Sequence, residues 1–233
     1  MKPLVIFGIG KISEVAFNHF KRDSDYEVVG FTCDEQWLPA ASPTGVRHMG
    51  LPVHGFAEIE RTFPPDTVSM FIGVGYQELN EVRKNKCAQA RAKGYRLASY
   101  VSSRADQGPW LEIGDNCLIL DSVGIQPGVK IGNNVSIWNS SLIGHHSTVG
   151  DNCWIAAGAT LGGMVNLGAS CFVGLGATIG GEVGIGERCF IGAGALVTKP
   201  ADAASVFVER DTEKFRLDSD GFLRITKLAA MGR

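Results

Sequence analysis

The chain has no large surplus of either charge. Over 233 residues, 22 basic side chains face 24 acidic ones, a formal net charge of −2. That balance excludes the basic footprint of a nucleic-acid or anionic-membrane binder. Long hydrophobic runs are missing too: no apolar stretch reaches membrane-spanning length. The opening residues, MKPLVIFGIGK, lack the layout of a signal peptide, so a cytoplasmic location is expected. Histidine is scarce, five in all, and only the adjacent pair His145-His146 falls in the second half. Both of these matter once the pattern of that half is seen.

What is present is a period of six. From Leu111 to Val197 the third residue of every six is aliphatic without a miss, through Ile113, Ile119 and Ile125 to Ile191 and Val197. A helix repeats at about 3.6 and a strand at about 2, so neither explains it; a short fixed period marks a β-solenoid. Three sixes make one triangular coil with a short strand on each side. At the strand spacing of roughly 4.8 Å, about five coils form a prism about 24 Å tall. The aliphatic position points inward and each coil buries its core against the next. Gly114, Gly132, Gly150, Gly168 and Gly186 recur at eighteen, as do Gly144, Gly162 and Gly180, which suggests corners whose backbone angles suit glycine.

Cys117, Cys153, Cys171 and Cys189 occupy the small inward position, so stacked, reduced core thiols are expected rather than disulfides or metal ligands. Cys33 and Cys87 lie elsewhere with no evident partner. Outward, the residues preceding the aliphatic one read Leu118, Ser136, Trp154, Phe172, Phe190 up one face. Such an apolar stripe points to a subunit interface, with coverage by a segment of the same chain as the alternative. No insertion interrupts the sixes, so no coil throws out a loop. A bare prism has no cleft of its own, and a ligand site is expected between neighbouring copies.

Residues 1–106 read differently. Strands are expected at 2–7, 27–31, 68–74 and 95–101, with helices after Gly10 and over 78–93. This is a small parallel α/β sheet that binds ligands beyond the carboxyl ends of its strands. Gly8, Gly10 and Ser13 form a partial dinucleotide-type fingerprint whose helix amides suit phosphate. A tight strand–helix turn that needs glycine for packing explains the same residues. Asp34 stands where a ribose-binding acid would, and Gly75 borders the same crevice. Residues 39–52 read as a polar loop, with His48 and His54 on the surface. The domains expected are 1–106, 107–200 and a tail, 201–233, in which two alternating stretches around Asp218-Ser219-Asp220-Gly221 suggest a β-hairpin.

His145 and His146 follow the inward Ile143 and corner Gly144, so both should point outward. An imidazole that titrates near neutrality suits a general base, and a second beside it disfavours protonation of both. A zinc site would need a third ligand, and these coils hold no further histidine and no cysteine off the core position, so no metal is expected.

With these features, the chain to about residue 200 resembles the NeuD/PglD-type family of bacterial sugar acyltransferases. The most specific part is Ser140-Ser141-Leu142-Ile143-Gly144-His145, where the family's catalytic histidine falls on His145. The resemblance implies a left-handed parallel β-helix behind a Rossmann-like domain, and a homotrimer with its sites between subunits. It implies acetyl-CoA as donor and a nucleotide-linked sugar as acceptor, in surface-glycan biosynthesis. The nucleotide would meet Gly8, Gly10, Lys11, Asp34 and Gly75; CoA would run past Trp154, Gly163, Leu175 and Ala193. His146 stands where the family usually has an acid, Trp154 where it has a second histidine that contacts the donor, and Lys11 where glycine is common in the turn. The mechanism so implied is direct transfer: His145 takes a proton from the attacking amine or hydroxyl, while a backbone N–H such as that of Gly163 in a neighbouring chain supports the oxyanion. Two other readings stay open, a non-catalytic nucleotide-sensing assembly module and a γ-carbonic-anhydrase-like metalloenzyme.

Overall fold

The computed structural model describes residues 1–38 and 45–231. In the N-terminal part, β1 (Lys2–Phe7) leads into α1 (Lys11–Asp23), β2 (Tyr26–Cys33), β3 (Arg47–His48), β4 (Leu51–Gly55), β5 (Ser69–Ile72) and α2 (Glu81–Ala92). The sheet order is β3-β4-β2-β1-β5, parallel except for the β3–β4 pair. Alternation along β1 splits its side chains between two cores. Leu4 and Ile6 join Ala16, Phe17 and Phe20 of α1; Val5 and Phe7 join Cys87 and Ala90 of α2.

Four expectations need correcting first. Residues 47–55 are two strands rather than loop, because Val53 buries against β2; positions 39–44 of the expected loop lie outside the described residues. His48 and His54 are half-buried, and the His48 ring meets Phe31 edge-on at 4.8 Å. The segment expected as a fourth sheet strand only touches β5, through a bridge between Met70 and Leu97; its end, Tyr100–Val101, instead pairs with Leu118–Ile119 and starts the prism. The tail makes no hairpin: Val206–Phe207 adds a last strand beside Phe190–Ile191, and Ser219–Met231 is a helix, α3. Asp218 accepts a 2.7 Å bond from the Gly221 N–H at its start, so the acid-rich turn caps a helix rather than closing a hairpin.

The prism is as the period demands. Two-residue strands stack in parallel at a register of eighteen on three faces, for example Ser136↔Trp154, Leu142↔Thr160 and Lys130↔Thr148. Every aliphatic third position from Ile119 to Val197 is buried in one continuous core. The four inward cysteines are free, and the Cys153 thiol donates to the Gly168 carbonyl at 3.1 Å, the Cys171 thiol to that of Gly186 at 3.2 Å. The recurrent glycines serve close stacking, not turning. None of Gly114, Gly132 or Gly144 has positive φ, but a Cβ on Gly144 would lie 2.4 Å from the Gly162 carbonyl carbon of the next coil. The left-handed corner positions fall elsewhere, for instance on Asn116, Asn134 and Asn152, whose side-chain amides form a ladder with bonds of 2.9 and 2.8 Å.

The lower part of the stripe expected at a subunit interface, Leu118 to Trp154, is covered by the chain's own N-terminal part, while Phe172 and Phe190 above it stay half-buried. Leu118 and Leu120 pack with Phe17, Phe20 and Tyr100, and Trp154 is 3% exposed beneath Tyr76 and Arg83. At one end of the seam Arg22 bridges to Asp121 (2.6 Å), Tyr100 and Ser102. At the other, the Asn116 side chain pairs with the Ile72 backbone of β5. Burying the aromatics here removes them from water without a partner molecule.

Candidate functional site

Two cavities and one vertex carry the chemistry. The first cavity, about 480 Å³, lies beyond the carboxyl ends of β1, β2 and β5. Gly8, Gly10, Lys11, Asp34 and Gly75, named from the sequence for the nucleotide, all line it. Gly8 has φ +110°, and a Cβ there would sit 2.9 Å from the Gly73 carbonyl oxygen, so the turn accepts no side chain. Gly10 has open space around it at the start of α1. Ser13, third in the fingerprint, is fully buried and bonds the Gly10 carbonyl at 2.6 Å, so a small residue there keeps the helix against the sheet. Asp34 is paired with Lys86 at 2.6 Å, and Lys86 also lies over the Phe7 and Phe56 rings. Lys86, Trp37, Gln77 and Val82 also line it and were not picked out from the sequence. Lys86 sits on a helix whose polar face is otherwise solvated, which gave no cue.

The second cavity, about 600 Å³, corrects the expectation that the prism has no cleft. Its back wall is the upper stripe, Trp154, Phe172 and Phe190, with Trp138 beside it and the two phenyl rings stacked at 4.8 Å. Tyr76 closes one side, with its ring 4.7 Å from Phe172 and 5.3 Å from Trp154. The opposite rim comes from the tail, through Val208, Glu209 and Asp211. Trp154, Leu175 and Ala193, assigned to CoA by resemblance, line this cavity; Gly163 does not. Ile12 borders both cavities.

The histidines lie at a vertex away from both. His145 follows the face that contains Leu142–Ile143, and the next strand, Thr148–Val149, belongs to another face. Their shared edge is opposite the face that carries Trp154. The His145 N–H donates to Gln126 Oε1 at 2.9 Å, and the ring lies over Gly163 of the next coil, where a Cβ would be 2.5 Å from Nε2. His146 takes a left-handed φ of 57° and faces Gly128. The two rings meet through their Nδ1 atoms at 3.2 Å, and both are exposed. Leu142 and Met164, the latter bonded through its N–H to the His145 carbonyl, are exposed beside this edge, and exposed Leu196 lies three coils above Leu142 on the same face. Among the described residues no group of three or more His, Cys, Asp or Glu is placed to hold a metal ion, and no helix is long and apolar enough to cross a membrane.

Comparison with known proteins bears on the fold. Residues 112–145 fit the bacterial transferase hexapeptide model (six repeats), and 164–199 fit the hexapeptide repeat of succinyl-transferase. No curated protein matches the sequence significantly. Among solved structures, PerB from Caulobacter crescentus, in complex with CoA and GDP-perosamine, superposes with a TM-score of 0.77 at 22% identity, over 88% of this chain and 93% of that one. The acetyltransferase domain of PglB from Neisseria gonorrhoeae FA1090 gives 0.76 at 20% identity, over 88% and 96%; the same domain is known in complex with acetyl coenzyme A. At these identities the likeness is one of fold. The chain therefore has the left-handed hexapeptide β-helix behind a small α/β domain, the architecture of those structures. The hexapeptide matches and a superposition over 88% of the chain both bear out the NeuD/PglD-type resemblance.

Proposed function

We propose that this protein transfers an acyl group, acetyl in the simplest case, from acyl-CoA to an amino or hydroxyl group of a nucleotide-linked sugar in bacterial surface-glycan biosynthesis. The observation that carries this reading is the pair of adjoining cavities sharing Ile12: one at the mouth of a glycine turn, the other walled by the prism. In the first, the free N–H groups at the start of α1 receive the diphosphate, since a helix N-terminus favours anions. In the second, the pantetheine arm of CoA runs over Leu175 and Ala193 against Trp154.

His145 is the general base. As the acceptor nitrogen or oxygen bonds to the thioester carbonyl carbon, its proton passes to Nε2. Collapse of the tetrahedral intermediate breaks the C–S bond, and the imidazolium returns the proton to the departing thiolate. Because His145 sits on the edge opposite the cavities, one chain alone cannot bring base and substrates together. A second copy, in a homotrimer packed through the Leu142 and Leu196 face, supplies the histidine. Much of the rate then comes from holding two large substrates in register.

The test is release of CoA thiol from acetyl-CoA against a panel of nucleotide-linked amino and hydroxy sugars, with mass analysis of the product for N- or O-transfer. Turnover with at least one acceptor is expected. Binding of both ligands with no thiol released across the panel would favour the non-catalytic sensing module.

A further inference from the structure

Between the two cavities runs a strip only three residues wide. Gly75 and Gln77 line the first cavity and Tyr76 lines the second, so residues 75–77 form a partition with a ligand site on each side. The backbone that follows is strained: Glu78, Leu79 and Asn80 take φ of 52°, 54° and 72° in succession, none of them glycine. Such conformations persist only where the surroundings over-determine them, and they cluster at functional sites.

What holds this one is Arg83. Its side chain is 1% exposed, the only fully buried charged side chain among the described residues. It donates to the Gly75 carbonyl at 2.8 Å and to Asn80 Oδ1 at 3.1 Å on the partition side. On the prism side it donates to Asn134 Oδ1 at 2.9 Å and to the carbonyls of Asn134, Asn152 and Cys153 at 3.1 to 3.3 Å. The guanidinium also lies 5.4 Å from the Trp154 ring centre. Asn80, fully buried, adds bonds to the Ser170 and Cys171 carbonyls. Every oxygen around Arg83 in these bonds is neutral. Coils that need only stacking have no use for a buried charge without a carboxylate, and lysine cannot make this forked set of bonds.

We propose that Arg83 is a positioning residue that preorganises both ligand sites at once, by pinning the strip at 75–77 to the coils of the prism. Neither ligand touches it. With the pin in place the partition is already ordered, and each ligand binds without ordering cost. With the pin removed, whichever ligand binds first must order the strip, and the second finds it ordered. Loss of Arg83 therefore weakens both sites and makes them cooperative, in equal measure by linkage.

This inference rests on the acyltransferase reading, and calorimetric titration separates the two. CoA and a nucleoside diphosphate (UDP and GDP as probes) are titrated singly and each in the presence of the other saturating partner. The proteins are wild type, Arg83→Lys and Asn80→Gly; the last loosens the pin yet suits the left-handed backbone and keeps the fold should Arg83→Lys misfold. Expected is a loss of about tenfold for each ligand alone in the variants, largely recovered when the other is present, against little mutual effect in wild type. Unchanged affinities, or losses with no recovery, would overturn the pin and leave the acyltransferase reading standing. A wild-type chain that takes up neither probe would overturn both.

Discussion

His145 and His146 meet through Nδ1 atoms 3.2 Å apart. One of them must carry the proton in that contact. In the proposed mechanism His145 is the donor, which leaves its Nε2 lone pair bare over Gly163, and His146 accepts at the place where the resemblance puts an acid. Replacing His145 by Ala is expected to lower kcat by at least about 100-fold, with the elution volume in size-exclusion chromatography unchanged. His146→Gln, which retains an acceptor, should hold kcat within about tenfold, whereas His146→Leu should lose distinctly more with KM little altered. Equal kcat for the two His146 variants would remove that residue from the mechanism.

Gly8 has no room for a side chain. In Gly8→Ala the new methyl would press on the Gly73 carbonyl at a φ of +110°. A cost of about 1–3 kcal/mol is expected, together with loss of nucleoside diphosphate binding but retention of CoA binding. Differential scanning calorimetry and titration read the two effects separately.

The seam at Asp23 makes stability depend on acid. Burial pushes this carboxyl up, but bonds from Ser103, Tyr100 and Arg22 outweigh it and hold it at about 2, against an ordinary 3.8. Asp121 is held down in the same way, chiefly by Arg22 and then Ser102. A depressed carboxylate contributes its full stability above the ordinary value and loses it as pH falls through the depressed one. For Asp23 that is about 2 kcal/mol, draining between roughly pH 4 and pH 2. Asp23→Asn should therefore be the less stable protein at pH 7, with the gap closing by pH 2 in chemical denaturation followed by circular dichroism.

Ile155 lies at the heart of the prism and is fully buried between Ile137 and Val173 of the adjoining coils. Ile155→Ala should cost about 2–5 kcal/mol. Thermal unfolding checks this, and a smaller loss would mean that the coils close over the gap.

The prism could be read from Ile113 to Val197 because each coil meets only its neighbours, so one period of six reports both strand and core. His145 was legible for the same reason: its place after Ile143 and Gly144 sets it on an edge. The glycine turn and Asp34 could be located because a βα unit is local, and all converge on one cavity. The stripe was visible as apolar but its cover was not, since an aromatic row looks alike whether another subunit or Tyr76 of the same chain lies on it. Arg83 had a faint signal, a charge in line with buried Cys87 and Ala90 on α2. The tail misled because Asp218-Ser219-Asp220-Gly221 suits a helix cap as well as a turn.

Local repetition thus settled in advance the winding, the inward thiols and the edge on which the histidines stand, because each depends on contacts no more than a coil away. How the α/β part seats on the aromatic face, and hence the second cavity and the strip between the two, came only from folding. Those features rest on contacts as distant as Arg22 with Asp121 and Arg83 with Cys153, whose partners no spacing announces.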